Sequence, residues 1–207
     1  MTDQEKPSER YSDEEASPVR KRPRPGERRL QILQTLAAML EQPGTERVTT
    51  AGLAAKIGVS EAALYRHFAS KAQMFEGLID FVDQSVIGLI RQVTDREPAG
   101  PVQASRIVAL LLQFAEKNPG MSRVMIGDAL VLEHERLQER INLLFDKIEA
   151  QLRQSLKGIE SATPSADAQV TASLLVAFMQ GRLQRFARSG FKRLPSEHLQ
   201  AALARVL

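Results

Sequence analysis

Signals for starting and stopping helices are unusually dense in the segment TTAGLAAKIGVSEAALYRHFAS, which begins at Thr49. Thr49 or Thr50, then Ser60 and then Ser70 are residues whose hydroxyl can accept a backbone N–H at the start of a helix. Gly58 can adopt the left-handed conformation that ends one. The segment therefore predicts two short helices joined by a three-residue Gly-Val-Ser turn, which is the geometry of a helix-turn-helix.

The rest of the chain shows helical periodicity and no alternating strand pattern, so we expect an all-α fold of eight or nine helices. Leu30, Leu33, Leu36, Ala37 and Leu40 predict the buried face of a first helix, which Pro43-Gly44 ends. Later helices are predicted over 61–68, 71–94, 102–117, 121–130, 133–157, 168–189 (capped by Asp167) and 196–207.

Composition excludes several classes of protein. The chain has no cysteine, so disulfides, thiol nucleophiles and Cys-ligated metals are absent. Its apolar runs are shorter than the roughly 18–20 residues of a membrane span, and no signal peptide is evident; we expect a cytoplasmic protein without membrane contact. His67, His134 and His198 lie far apart. Glu133-His134-Glu135 lacks a second histidine at helical spacing and indicates a solvated face, so we expect no enzyme, metal or cofactor.

Charge is concentrated near the N-terminus. Residues 1–19 carry six acids and two bases, whereas residues 20–29 carry six bases and one acid. The prolines and the lack of apolar periodicity predict a disordered, charged tail over 1–26. The basic residues over 20–29 are either a solvated run of charge or a region that attracts an anionic partner to the N-terminal part of the chain.

The predicted helix 61–68 has a distinct outward face. With Leu64 directed to the core, Ala62 and Arg66 point away, Tyr65 lies beside them and His67 lies at the flank. Arginine can form two hydrogen bonds to guanine in the major groove, and the small Ala62 leaves room for close approach. Tyr65 and His67 suit phosphate oxygens.

Phosphates can also be bound where helices begin. The N–H groups behind Thr49, Thr50, Ser60 and Ser70 are free to meet an anion, and Lys71 stands at such a start. The alternative is a capped helical hairpin in which Tyr65 packs and Arg66 is solvated. Spacing and charge together favour binding of double-stranded DNA.

The run VTTAGLAAKIGVSEAALYRHFASKAQMF, residues 48–75, resembles the DNA-binding domain of TetR-type regulators in its Gly-Val-Ser turn, its Leu-Tyr-x-His-Phe cluster and the following Ser-Lys. The resemblance implies a three-helix DNA-binding domain over 27–75, with its motif at 49–68. A connecting helix 4 then leads into a helical domain for dimerisation and partner binding over 76–207.

A narrower resemblance, to the nucleoid occlusion factors within that family, extends through VSEAALYRHFASKAQMFEGLIDF, LLLQFAEKNPGMSRV and ERLQERINLLFDKIEAQLRQSLK. It implies a protein that, when bound to a specific chromosomal site, antagonises polymerisation of the division protein FtsZ. The matching FtsZ-binding positions are Phe81, Leu110, Lys117 and Asn118. A basic position of that group falls on Leu89 here, with Arg91 two residues further on. From the residues alone, Phe81 is equally a core side chain.

A palindromic DNA site favours a two-fold dimer, with one or several dimers per site. We expect its interface to use Val170, Leu174, Phe178 and Leu183 or Phe186, together with the stripe Leu137, Ile141, Leu144, Ile148 and Leu152. The opposite possibility is that both stripes are buried within one chain. A different functional hypothesis is a ligand-responsive repressor, in which an effector shifts the dimer out of register with DNA.

Overall fold

The computed structural model describes residues 26–42, 48–131, 133–157 and 164–207, and across these residues all regular structure is helical. Residues 1–25 of the tail predicted over 1–26, the Pro43-Gly44 stop and residues 158–163 of a loop predicted over 158–166 lie outside the described residues. The all-α prediction is confirmed. No described helix is both long and apolar enough to cross a membrane.

Nine α-helices and one 3₁₀ turn, Asp128–Leu130, follow one another along the described chain. The helices are α1 Glu27–Leu40, α2 Thr50–Ile57, α3 Glu61–Tyr65, α4 Lys71–Thr94, α5 Pro101–Lys117, α6 Pro119–Met125, α7 Glu135–Leu156, α8 Pro164–Arg188 and α9 Leu199–Leu203.

Proline explains three corrections to the predicted helix starts. Helix α8 begins at Pro164, so Asp167 lies in its first turn and is not its cap. Proline suits the first helical position, because the backbone N–H that it lacks would have no partner inside the helix. Pro101 and Pro119 open α5 and α6 in the same way, and the helix predicted over 121–130 ends at Met125 before a 3₁₀ turn.

The N-terminal helices pack against one another and against the body. Helix α1 contacts α2, α4 and α6, while α4 also contacts α5, α6 and α7. The buried face of α1 is formed by Ile32, Leu36, Ala37 and Leu40, and the predicted member Leu30 is exposed instead. Helix α4 is therefore shared between the N-terminal three-helix unit and the helical body.

Helices α1 and α6 approach closely at Gly120. A Cβ at this position would overlap the backbone carbonyl group of Ala37, which stands against it. Nearby, the Arg123 guanidinium donates to the carbonyl oxygen of Leu40 at 3.4 Å and pairs with Asp128 at 2.7 Å. The end of α1 is thus held directly on the body.

Most of the apolar residues that we expected at a dimer interface on α7 and α8 are buried within the single chain. The α7 stripe, Leu137, Ile141, Leu144, Ile148 and Leu152, is buried within the chain, as are Leu183 and Phe186 on α8. Val170 and Leu174 are 59% and 56% exposed, and Phe178 is partly buried. These differences arise because α7 and α8 pack on each other and turn their strongest apolar faces inward.

Candidate nucleic-acid interface

The turn between α2 and α3 has the predicted conformation. Gly58 adopts φ 75° and ψ 41°, in the left-handed region that favours glycine. Its N–H donates to the carbonyls of Ala54 and Ala55, and the N–H of Val59 donates to Ala54 at 3.0 Å. These bonds close the end of α2, and Val59 packs against the core.

Three hydroxyl caps set the starts of α2, α3 and α4, as predicted. Thr49 accepts from the N–H of Gly52 at 3.1 Å, Ser60 from Ala63 at 3.3 Å and Ser70 from Gln73 at 3.1 Å. Each cap satisfies one N–H of a first turn, and the other free N–H groups there remain available for an anion.

Thr50 does not act as the cap of α2. Its hydroxyl donates to the carboxylate of Glu61 at 2.6 Å, and this bond ties the start of α2 to the start of α3. Thr50 therefore supports the mutual orientation of the two helices, and a phosphate contact from its hydroxyl would compete with Glu61.

The outward face of α3 has the composition expected from the sequence. Ala62, Tyr65, Arg66 and His67 are exposed, whereas Leu64 is fully buried. The structure thus brings a small side chain, a phenol, a guanidinium and an imidazole onto one surface. These groups can contact base edges and phosphates, and Arg66 is the one suited to bidentate pairing with guanine.

Helix α3 is shorter than predicted, because it ends at Tyr65 and not at residue 68. The residues that follow α3 are bonded to α1. Arg29 donates to the carbonyl oxygen of His67 at 2.8 Å, and its guanidinium lies 4.0 Å from the centre of the buried Phe68 ring. The His67 carbonyl is therefore bonded to α1, and Arg29 is a supporting residue that the sequence pattern did not single out.

Lys71 begins α4 next to this face, but its ammonium group is already paired. It forms an ion pair with Glu133, which lies just before α7, and the two side chains are 18% and 10% exposed. The solvated acidic face predicted for 133–135 is therefore wrong for Glu133. His134 caps α7 by accepting from the N–H of Arg136, and the described residues contain no cluster of three potential metal ligands.

The predicted partner-binding residues lie on α4 and α5, which pack together. Phe81 is 44% exposed, so it is not a core side chain. Leu110 is partly buried against the core and Lys117 is exposed. Asn118 ends α5, and its side-chain amide donates to the carbonyl of Phe114 at 2.7 Å.

Leu89 and Arg91 do not share a face of α4. Arg91 lines a cleft between α4 and α7, together with Asp83, Ile87 and Lys147. Positions 89 and 91 are about 200° apart around a helix, so their side chains point to different sides of α4. At position 89, where the resemblance implies a basic residue, the chain has a partly buried leucine.

The fold and this surface define a helix-turn-helix DNA-binding protein of the TetR type. The N-terminal part, residues 32–78, matches the family "Bacterial regulatory proteins, tetR family". Residues 101–205 match the SlmA-like family described as "Tetracyclin repressor-like, C-terminal domain".

Two relatives show which group of TetR-type proteins this chain resembles. The nucleoid occlusion factor SlmA of Idiomarina loihiensis is 50% identical over 177 residues, covering 84% of this chain and 90% of its own. The nucleoid occlusion factor SlmA of Shewanella oneidensis is 51% identical over 174 residues, covering 83% of this chain and 88% of its own. The chain belongs to the SlmA family of TetR-type regulators.

Solved structures agree with this fold at much lower sequence identity. A transcriptional regulator from Rhodococcus sp. is 21% identical with a TM-score of 0.70, covering 86% of this chain and 92% of its own. The regulator FadR from Bacillus subtilis, solved with stearoyl-CoA, is 12% identical with a TM-score of 0.67, covering 86% and 96%. At these identities the likeness concerns the fold alone.

Proposed function

We propose that this protein is a nucleoid occlusion factor, which binds specific chromosomal sites and, when bound, antagonises FtsZ polymerisation. The observation that carries the proposal is the identity of 50% to a relative of that name over 84% of this chain. The similarity includes the body as well as the DNA-binding unit, and the body is where the proposed partner residues lie.

The proposed DNA contacts follow from the geometry of the interface. Arg66 and Ala62 face the major groove and read bases. Tyr65, His67 and the N-termini at Thr49, Ser60 and Ser70 meet phosphates, with Thr50 and Lys71 beside them. The exposure of the side chains on α3 supports this assignment.

We also propose that two chains form a two-fold dimer through the outward faces of α7 and α8. On α8, the exposed residues Val170, Leu174, Ala177 and Gly181 are apolar or small and recur at helical spacing. A Cβ at Gly181 would meet no atom within 4 Å in the single chain. On α7, Leu143 adds an exposed apolar side chain. Burial of this surface by a second copy would remove it from water.

The proposed site for FtsZ is the surface of α4 and α5 that carries Phe81, Leu110, Lys117 and Asn118. An exposed aromatic ring on α4 and an exposed cation on the neighbouring α5 suit a peptide that is both apolar and acidic. Because Leu89 supplies no charge, we expect this contact to depend more on Phe81 and less on salt than a fully basic site would.

The test measures FtsZ polymer by sedimentation, with the protein and a duplex that carries its chromosomal site. We expect polymer mass to fall with the specific duplex and to fall less with a duplex of scrambled sequence. Unchanged polymer mass at excess dimer would refute the FtsZ part of the proposal. Mapping the chromosomal sites bound by the protein identifies the sequence for this duplex. It also distinguishes the two functions, because nucleoid occlusion requires many scattered sites and a repressor is expected at one promoter.

The alternative of a ligand-responsive repressor requires an effector pocket. One opening between α7 and α8 has the buried Met125, Ile141 and Phe145 in its lining and a volume of about 210 Å³. The surface cleft between α4 and α7 that Arg91 lines has about 630 Å³. Pockets for drug-sized ligands have about 300–1,000 Å³. Release of the protein from DNA by a small molecule would nevertheless establish that alternative.

A further inference from the structure

Four ion pairs link α4 to α7 and to Glu133, which lies two residues before α7 begins. They are Lys71–Glu133, Glu76–Arg136, Asp80–Arg140 and Asp83–Lys147. In three of them, the acid belongs to α4 and the base to α7. In the fourth pair, at the end of α4 next to the helix-turn-helix, the charges are reversed: Lys71 on α4 is the base and Glu133 in the body is the acid.

The reversed pair is also the most buried of the four. Both of its side chains are less than one-fifth exposed, whereas every other member of the row is more exposed. Coulomb attraction is screened less at such a position than at a solvated surface. Glu133 therefore restrains the Lys71 ammonium more firmly than an ordinary surface partner would.

Lys71 is also where a DNA phosphate would be expected. It is the first residue of α4 and directly follows the cap Ser70. The free N–H groups and the dipole of a helix start both favour an anion. A phosphate and the Glu133 carboxylate would repel each other at one ammonium group, so the two anions compete for Lys71.

We propose that Glu133 is a positioning residue that holds Lys71 in the free protein and is displaced by a DNA phosphate on binding. This inference rests on the proposed DNA-binding role of the face next to Lys71. It has two consequences. DNA affinity is lowered by the need to break the pair, and DNA binding frees Glu133, whose N–H donates to the carbonyl of Leu130 in the connection between α6 and α7.

The first experiment compares the full-length wild type with Glu133→Gln on a fluorescent duplex of random sequence, because a phosphate contact does not depend on sequence. We expect Glu133→Gln to bind about three- to tenfold more tightly at low salt. The dependence of log K on log salt should become steeper by up to about 0.9, because in the wild type the carboxylate that is freed on binding takes up a cation and offsets one that the DNA releases. Unchanged affinity and slope would overturn the proposal.

Two further variants distinguish release of Lys71 from a general loss of negative charge. In a Lys71→Gln background, Glu133→Gln should leave both affinity and salt slope unchanged, because no ammonium remains to be released. The matched control Asp83→Asn removes the same charge from the far end of the row, where its partner is Lys147, and should have no comparable effect. An equal gain in all three contexts would assign the effect to net charge and overturn the proposal.

Hydrogen exchange gives a readout that does not depend on affinity. Addition of duplex to the wild type should speed exchange at the Glu133 amide, and Glu133→Gln should exchange fast already without DNA. Unaltered protection on saturation with duplex would contradict displacement. If Glu133→Gln does not fold, Glu133→Asp, whose carboxylate reaches less far, should change affinity in the same direction. A wild type that binds no duplex at all refutes the proposed function itself, and the inference with it.

Discussion

Substitution of Gly120 by alanine should destabilise the protein, although alanine is the better helix former. Gly120 lies in the first turn of α6, and its added Cβ would stand 3.0 Å from the carbonyl carbon of Ala37 and closer still to the carbonyl oxygen. A Cβ normally keeps about 3.3–3.6 Å from a carbonyl oxygen. Helices α1 and α6 would therefore have to separate by about 1 Å, because backbone cannot rotate away as a side chain can.

The magnitude is the difference between two opposing effects. Overpacking of a close contact costs about 1–3 kcal/mol, while replacing a helical glycine by alanine recovers about 0.5–1 kcal/mol. We expect Gly120→Ala to lose about 1–2 kcal/mol of the free energy of unfolding. For a chain of this size, that loss lowers the Tm by about 2–8 °C.

Gly88→Ala is the matched control, because Gly88 is also helical but its added Cβ meets nothing within 4 Å. It should gain about 0.5–1 kcal/mol, and its Tm should rise by about 1–4 °C. The assay is thermal unfolding followed by circular dichroism, at equal protein concentrations because the proposed dimerisation would raise the apparent stability. A Gly120→Ala protein as stable as Gly88→Ala would refute the close contact between α1 and α6.

Four further predictions address the turn, the reading face, the dimer and the partner surface. Gly58→Ala should cost about 1–2 kcal/mol of unfolding free energy, seen by urea denaturation, because alanine is strained at its positive φ; equal stability would contradict that conformation. Arg66→Ala should weaken binding of a specific duplex by about ten- to a hundredfold and of random DNA much less, by fluorescence anisotropy. Leu174→Glu should shift the chain to monomer in analytical ultracentrifugation, and an unchanged dimer would place the interface elsewhere. Phe81→Ala should abolish inhibition of FtsZ sedimentation while DNA affinity stays at the wild-type value, and loss of both would point to misfolding.

Local pattern was enough to predict the DNA-reading unit because its signals act over a few residues. A cap reaches two or three residues along the chain, a left-handed glycine closes the turn before it, and helical geometry fixes which side chains share a face. The starts of α2, α3 and α4, the stop at Gly58 and the exposure of Tyr65, at 45%, and of Arg66 were therefore predictable.

Tertiary structure decided what depends on residues distant in sequence. The carbonyl of His67, just after α3, is bonded by Arg29, which lies 38 residues earlier in the chain. Lys71 is restrained by an acid 62 residues away. Periodicity located the apolar faces of α7 and α8, but only their packing showed that Leu183 is buried while Leu174 is exposed. The sequence of a helix determines which of its sides is apolar. Which neighbouring helices cover that side depends on the tertiary packing of the whole chain.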